Sequence, residues 1–264
     1  MKKILLSTTA LIAMTAMAAA ADLPARTLAP APIPVAAPVF TWSGFYAGIN
    51  GGYVWNDVDA RYRSGIGGFF DAGVAAGVVP DRVDLSSDGF TFGGHVGGNV
   101  QFGVFVAGLE ADIAYTDVGR TRAFAGGGGA TGFTPRTTTL SSDMDFFGTV
   151  RGRIGLGFDR FLVYGTGGLA YAGVNTRGTI RSDLAVPAFG TFTSNGDDDD
   201  IRVGYAVGVG AEYAFTNNLT VGVEYLYYDL GDENVRLTNA AGNTATYRFD
   251  HTGDIIRGRL SFKF

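Results

Sequence analysis

From Ile201 to Asp229 the apolar side chains fall on every second residue. Val203, Tyr205, Val207, Val209, Ala211, Tyr213 and Phe215 share one parity, with Arg202, Gly204, Ala206, Gly208, Gly210 and Glu212 between them. After Thr216–Asn218 the alternation resumes with Leu219, Val221, Val223, Tyr225 and Tyr227, against Thr220, Gly222 and Glu224. Successive side chains of a strand point to opposite faces, so two strands and a tight turn make an antiparallel hairpin with one apolar face. A soluble β-sandwich would also use such a hairpin. It would not, however, place charge mid-strand on its inner face or fill a solvent face with glycine. Aromatics near both ends of an apolar outside, and a polar inside, are the pattern of a transmembrane β-barrel.

The same alternation predicts six more strands. The first runs from Phe45 to about Trp55, with Phe45, Ala47, Ile49, Tyr53 and Trp55 outward and Asn50 inward. The second, about Phe90 to Gln101, turns Phe92, Val96 and Val100 out and Thr91, His95, Asn99 and Gln101 in. The third carries Phe105, Leu109, Ile113 and Tyr115 outward over Glu110 and Asp112. The fourth, about Asp145 to Phe158, is outward at Val150, Ile154, Leu156 and Phe158, inward at Arg151 and Arg153, and suggests a bulge near Phe146–Phe147. The fifth starts at Phe161 and is apolar in both registers; Phe161, Val163, Leu169 and Tyr171 are read as outward. The last spans about His251 to Phe264, with Ile256, Leu260, Phe262 and Phe264 outward and Arg257, Arg259 and Lys263 inward.

The predicted fold is therefore all-β: an eight-stranded antiparallel transmembrane β-barrel with short periplasmic turns and four long outer loops. Short turns fall near Gly103, Asp159 and Asn217; long connections fall at about 56–88, 117–143, 174–200 and 229–249. A ninth and tenth strand in the connection after Trp55 is the alternative strand count. Pro80, Pro135 and Pro187 lie in the long connections and no predicted strand contains proline, as ladder hydrogen bonding requires. Both termini then face the periplasm.

Composition agrees where it bears on the question. No internal apolar run is long enough for a spanning helix, and a membrane protein without helices must close its sheet. The absence of cysteine removes disulfides and thiolate metal sites, and the net charge of -5 disfavours nucleic acid as a partner. Residues 1–21 have the layout of a signal peptide: Lys2 and Lys3, an apolar core from Ile4 to Met17, then small residues, with cleavage after Ala20 or Ala21. Residues 22–41 hold five of the eight prolines and read as an extended periplasmic linker, leaving 42–264 as the barrel domain in the outer membrane.

The segment TWSGFYAGINGGYVWND (Thr41 to Asp57), the stretch YGTGGLAYAG (Tyr164 to Gly173) and the ending RLSFKF resemble the alphaproteobacterial family of small outer-membrane β-barrels. That family includes RopB-type surface antigens and some haemin-binding proteins, with barrels like those of OmpA and OmpX. The resemblance implies an eight-stranded barrel with a role in envelope integrity or host contact, and no enzyme. The terminal Leu260, Phe262 and Phe264 resemble the signal read by the barrel-assembly machinery, although that signal's usual glycine is Arg259 here.

The inward charges are the main candidate site. Glu110, Asp112, Glu212 and Glu224 face Arg151, Arg153, Arg202, Arg257 and Arg259. The interior of an eight-stranded barrel is just wide enough for side chains to fill, and buried charges there must pair. The favoured reading is a salt-bridged plug in a structural, envelope-stabilising and surface-display protein. The rivals are a small porin gated by the same network, and haemin or host-ligand binding through the outer loops. His251 near Tyr247 is the candidate haem ligand, although no cofactor is expected. His95 reads as part of the polar lumen, and Thr252 and Asp254 beside His251 assemble no triad. Asp197–Asp200 reads as a solvated acidic loop rather than a Ca²⁺ site. Arg120, Arg122, Arg136, Arg177 and Arg181 near outer strand ends are candidates for lipopolysaccharide phosphates.

Overall fold

The computed structural model describes residues 40–66, 69–127, 135–186, 190–240 and 242–264. The expected signal peptide and most of the proline-rich linker lie outside the described residues. The compact unit begins at Phe40, two residues before the expected boundary.

Nine strands and one short helix are formed by the described residues of this unit. They are β1 (Gly44–Ile66), α1 (Phe69–Ala75), β2 (Arg82–Asp84), β3 (Ser87–Phe102), β4 (Phe105–Gly126), β5 (Arg136–Phe158), β6 (Phe161–Val186), β7 (Gly190–Ala214), β8 (Leu219–Thr238) and β9 (Thr244–Lys263). All pairings are antiparallel, each long strand pairs with its neighbour in sequence, and β1 pairs with β9. That last pairing closes eight strands into a barrel. The ninth strand, β2, is a three-residue strip on the outer part of β1, in the connection where extra strands were the alternative.

Periplasmic turns are tight. Phe102 pairs with Phe105 around Gly103–Val104, and Phe158 with Phe161 around Asp159–Arg160. Gly103 (φ 62°) and Asp159 (φ 52°) take the left-handed conformation these turns need, which glycine adopts freely and aspartate tolerates.

The four long outer loops are largely not loops. A spanning strand needs about 9–11 residues, yet β5 has 23 and β6 has 26. The surplus extends the barrel wall beyond the membrane, and the acidic run Asp197–Asp200 sits in this wall, on β7, with its backbone paired to Val174–Arg177 of β6.

The physical reason is an inversion of faces along each strand. Near the periplasm Phe45, Leu109, Ile154, Leu169 and Val209 point outward and are exposed, as a lipid-facing surface requires. The aromatic rim Phe102, Phe105, Phe158, Tyr213 and Phe262 marks the periplasmic edge; Trp55, Phe90, Tyr115, Tyr205 and Tyr225 mark the outer edge. Beyond Trp55 the apolar residues turn inward instead. Val58, Ala60, Leu140, Ile180, Val235, Leu237, Tyr247 and Phe249 form a buried core with Phe70 of α1 and with Val79 and Leu85. The outer half is thus built like a water-soluble barrel, its core capped by α1 and the segment behind it.

Two bulges reset which parity faces inward. On β5 the inward set changes from Leu140, Ser142 and Met144 to Phe147, Thr149 and Arg151 across Asp145, at the bulge expected near Phe146. On β8 it changes from Leu226, Tyr228 and Leu230 to Glu233, Val235 and Leu237 across Gly231, whose φ of 76° suits glycine.

Candidate functional site

The lumen is a stack of alternating apolar and polar layers, each supplied by inward positions of several strands. At the periplasmic mouth Phe40 and Trp42 pack with Val106, Leu162, Tyr164 and Ala214. The Trp42 indole donates to the Asp159 carbonyl (3.1 Å), and its backbone N–H donates to Gln101 (2.8 Å). Arg160 and Lys263 place cations 5.4 and 4.3 Å from the centre of the Phe40 ring.

Above this seal lies the charged layer. Glu110 and Arg151 are direct cross-strand partners on β4 and β5, as are Glu224 and Arg257 on β8 and β9. Arg151 bridges Glu110 (3.0 Å), Asp112 (3.0 Å) and Glu224 (3.2 Å). Arg257 holds Asp112 (3.1 Å) and Glu224 (2.6 Å). Arg259 clasps Glu110 with two nitrogens and reaches Glu224 (3.1 Å). Arg153 pairs with Glu212 (2.9 Å) and stacks 3.9 Å from the centre of the Tyr164 ring. Tyr46 donates to Glu110 (2.7 Å) and Tyr164 to Glu224 (3.0 Å). Eight charged side chains, four of each sign, form one connected and buried cluster. Glycines make room for it: a Cβ at Gly97 would lie 2.6 Å from Cζ of Tyr46.

Arg202, expected in this cluster, is not there. It lies in a second polar layer, paired with Glu233. Val54, Phe147, Ala172, Leu226, Tyr228 and Ile255 belong to the dry layer between the two. The upper polar layer also holds Asn56, Ser142, Thr176 and His251, all buried. His251 faces the lumen on β9 rather than a loop. Its Nε2 is 3.9 Å from Glu233 Oε2, too far for a direct hydrogen bond, and burial together with the nearby Arg202 pushes its pKa down to about 4. Thr252 and Asp254 lie on the opposite face of β9. Tyr247, expected beside His251 as a haem-ligand neighbour, is buried in the outer core with its hydroxyl donated to the Pro80 carbonyl (2.8 Å). Both side chains are buried rather than exposed at the outer end of the barrel.

Sequence reasoning missed one chain of polar groups. His95 Nε2 is 2.8 Å from Ser261 Oγ, and its Nδ1 is 3.4 Å from Asn50 Nδ2. The order serine–histidine–asparagine resembles a nucleophilic triad, but all three are buried and a Cβ at Gly48 would lie 2.6 Å from the imidazole. The three strands that carry these residues are adjacent, so pairing register in β1, β3 and β9 was the signal that could have found them.

The outer arginines divide. Arg177 and Arg181 are exposed on the outward face of β6. Arg120 and Arg122 follow the inward parity of β4; hydrogen bonds from Ser86 lower the pKa of Asp84, and the two arginines add to that electrostatically. Arg136 is buried beneath α1, with a guanidinium nitrogen 2.8 Å from where a Cβ of Gly73 would be, so it is not open to lipid.

The family model of the outer membrane protein beta-barrel domain matches residues 6–249. The chain belongs to this outer membrane β-barrel family. Within the family it is 36% identical over 236 residues to the 31 kDa outer-membrane immunogenic protein of Brucella melitensis, covering 88% of each chain. It is 30% identical over 194 residues to a 22 kDa outer membrane protein of Rhizobium leguminosarum, covering 73% of this chain and 66% of the other. Among solved structures it is similar to the outer membrane protease OmpT of Escherichia coli, at 15% identity and a TM-score of 0.46, over 87% of this chain and 99% of that one. The resemblance carried by Thr41–Asp57, Tyr164–Gly173 and the terminal strand therefore extends to relatives along most of the chain. The protein is an integral outer membrane β-barrel.

Proposed function

We propose that this outer membrane β-barrel is a closed structural element that stabilises the envelope and displays its outer wall, rather than a pore or an enzyme. The observation that carries the reading is the stacking of the lumen. An ion crossing the barrel would have to pass the Phe40–Trp42 seal, the eight-charge cluster, the dry layer around Phe147 and Tyr228, and the outer core around Tyr247 and Phe249. Opening the charged layer alone would not give a polar path, because buried apolar layers lie on both sides. The buried positions of His251 and Tyr247 argue against haemin captured through that pair. The exposed Arg177 and Arg181 suit lipopolysaccharide phosphates as neighbours, and Leu260, Phe262 and Phe264, outward on the strand that closes on β1, suit recognition by the barrel-assembly machinery before closure.

Reconstitution of the folded barrel in planar bilayers tests this reading. Silence is expected under voltage from preparations whose folding is verified by heat-modifiable gel migration. Frequent, reproducible conductance steps would replace the structural reading with the porin one.

A further inference from the structure

The outer wall carries an arrangement of charge that neither lumen packing nor membrane insertion explains. In the register of β2, β1 and β9, Arg82 pairs with Arg61 and Arg61 pairs with Arg248, so three arginines stand side by side on adjacent strands. Like charges directly opposite one another destabilise a sheet. Two residues nearer the membrane, Asp84, Asp59, Asp250 and Asp232 form an equivalent acidic row.

The acidic row satisfies the arginines unequally. Arg82 takes Asp59 in a bidentate grip, with Nε 3.0 Å and Nη2 2.8 Å from Oδ1 and Nη2 2.6 Å from Oδ2. Arg248 is held by Asp232 (2.8 Å) and Asp250 (3.1 Å). Arg61 has only a 3.5 Å approach to the Asp59 oxygen that Arg82 already occupies. Arg63 sits on the bulge between Tyr62 and Ser64 and is exposed, with no ion pair among the described residues. Bulges re-aim a side chain, and this one aims Arg63 into a groove of about 300 Å³ lined by Arg61, Tyr62, Arg63, Asp81 and Arg82.

We infer that this groove is a binding site for a phosphate group carried on a saccharide. Arg61 and Arg63 keep guanidinium donors to spare, and a guanidinium presents them in the planar fork that matches phosphate oxygens. The groove lining itself holds three arginines and one aspartate, Asp81, and a bound anion relieves the like-charge contact of Arg61 with its neighbours. Height selects the saccharide. Arg61 and Arg63 lie six and eight residues beyond Trp55, which at about 3.3 Å per tilted residue is roughly 15–20 Å above the outer aromatic rim. That is the level of sugars on the outer leaflet rather than of its lipid anchors. The sugar phosphate could belong to lipopolysaccharide of the same membrane or to a soluble molecule. The site is independent of whether the lumen conducts.

The test titrates the full folded barrel in neutral detergent with glucose 6-phosphate, with glucose, and with lipopolysaccharide before and after chemical removal of its core phosphates. Calorimetry reads the affinities of wild type, of Arg61→Gln/Arg63→Gln, and of Arg236→Gln as a control on the same wall. Phosphate-dependent binding that weakens at least tenfold in the first variant and under twofold in the control supports the site. Dependence on lipopolysaccharide phosphates assigns the source to the membrane; binding of glucose 6-phosphate alone assigns it to a soluble ligand. Absence of phosphate-dependent binding, or equal loss in both variants, overturns the proposal.

Discussion

Replacing Glu110 with alanine is expected to lower the stability of the folded barrel by about 3–5 kcal/mol, the range for breaking a buried ion pair from one side. Glu110 is the busiest carboxylate of the cluster: it accepts from Arg259, Arg151, Arg153 and Tyr46. Its removal leaves four buried arginines facing three carboxylates. Urea unfolding in lipid micelles would measure the loss as a shifted midpoint. Glu110→Gln, which keeps the shape and part of the hydrogen bonding, should lose less. The double variant Glu110→Leu/Arg259→Met restores neutrality and should cost less than the sum of the single changes, since contacting charges couple strongly. An unchanged midpoint in Glu110→Ala would remove the cluster from any account of why this barrel is rigid.

Acid should loosen the outer half before the membrane half. His251 has a folded-state pKa held at about 4, below its ordinary value of 6.5, by burial first and by Arg202 second, with Asp250 opposing. Between those values the unfolded chain binds the proton more readily than the folded one, so folding stability rises with pH across this window. Its contribution is complete above pH 6.5 and is lost as the pH falls towards 4, a difference of roughly 3 kcal/mol. A protonated His251 would join Arg202 in a layer whose carboxylate, Glu233, already has a cationic partner. Hydrogen exchange at pH 7.5 and pH 4.5 should show faster opening of the outer segments of β8 and β9 in acid. In His251→Gln the difference between the two pH values should shrink; an equal acid response in that variant would assign the effect to other groups.

The membrane half was legible in the sequence because lipid enforces one rule on every strand. Alternation located seven strands, their outward faces and eight members of the charged cluster, while the strand from Phe161, apolar in both registers, was placed by its position after the Asp159–Arg160 turn. The outer half follows the opposite rule, apolar inward, and its pattern is diluted by Thr, Ser and Gly, so it reads as loop. Gly231 shows why local reasoning fails there: one bulge moves Glu233 onto the face that alternation from Glu224 would deny it, and hides the partner of Arg202. Arg136 was misplaced because the element that covers it, α1, comes from more than 60 residues away in sequence. The Phe40–Trp42 seal depends on a Trp42–Asp159 hydrogen bond spanning 117 residues, which no periodicity can report.

The inverted faces also constrain how this surface can vary. Along β6 from Val174 to Ser182 and along β9 from Ala245 to Phe249 every second residue is buried, and only the residues between them meet solvent. Sequence drift on that wall therefore has a stride of two. An antibody binding its side recognises rows of residues drawn from neighbouring strands, such as Arg82, Arg61 and Arg248, and such an epitope is lost when the protein is denatured. An insertion within a paired strand would shift this register of buried and exposed positions, so new length is tolerated between strand ends rather than along the strands.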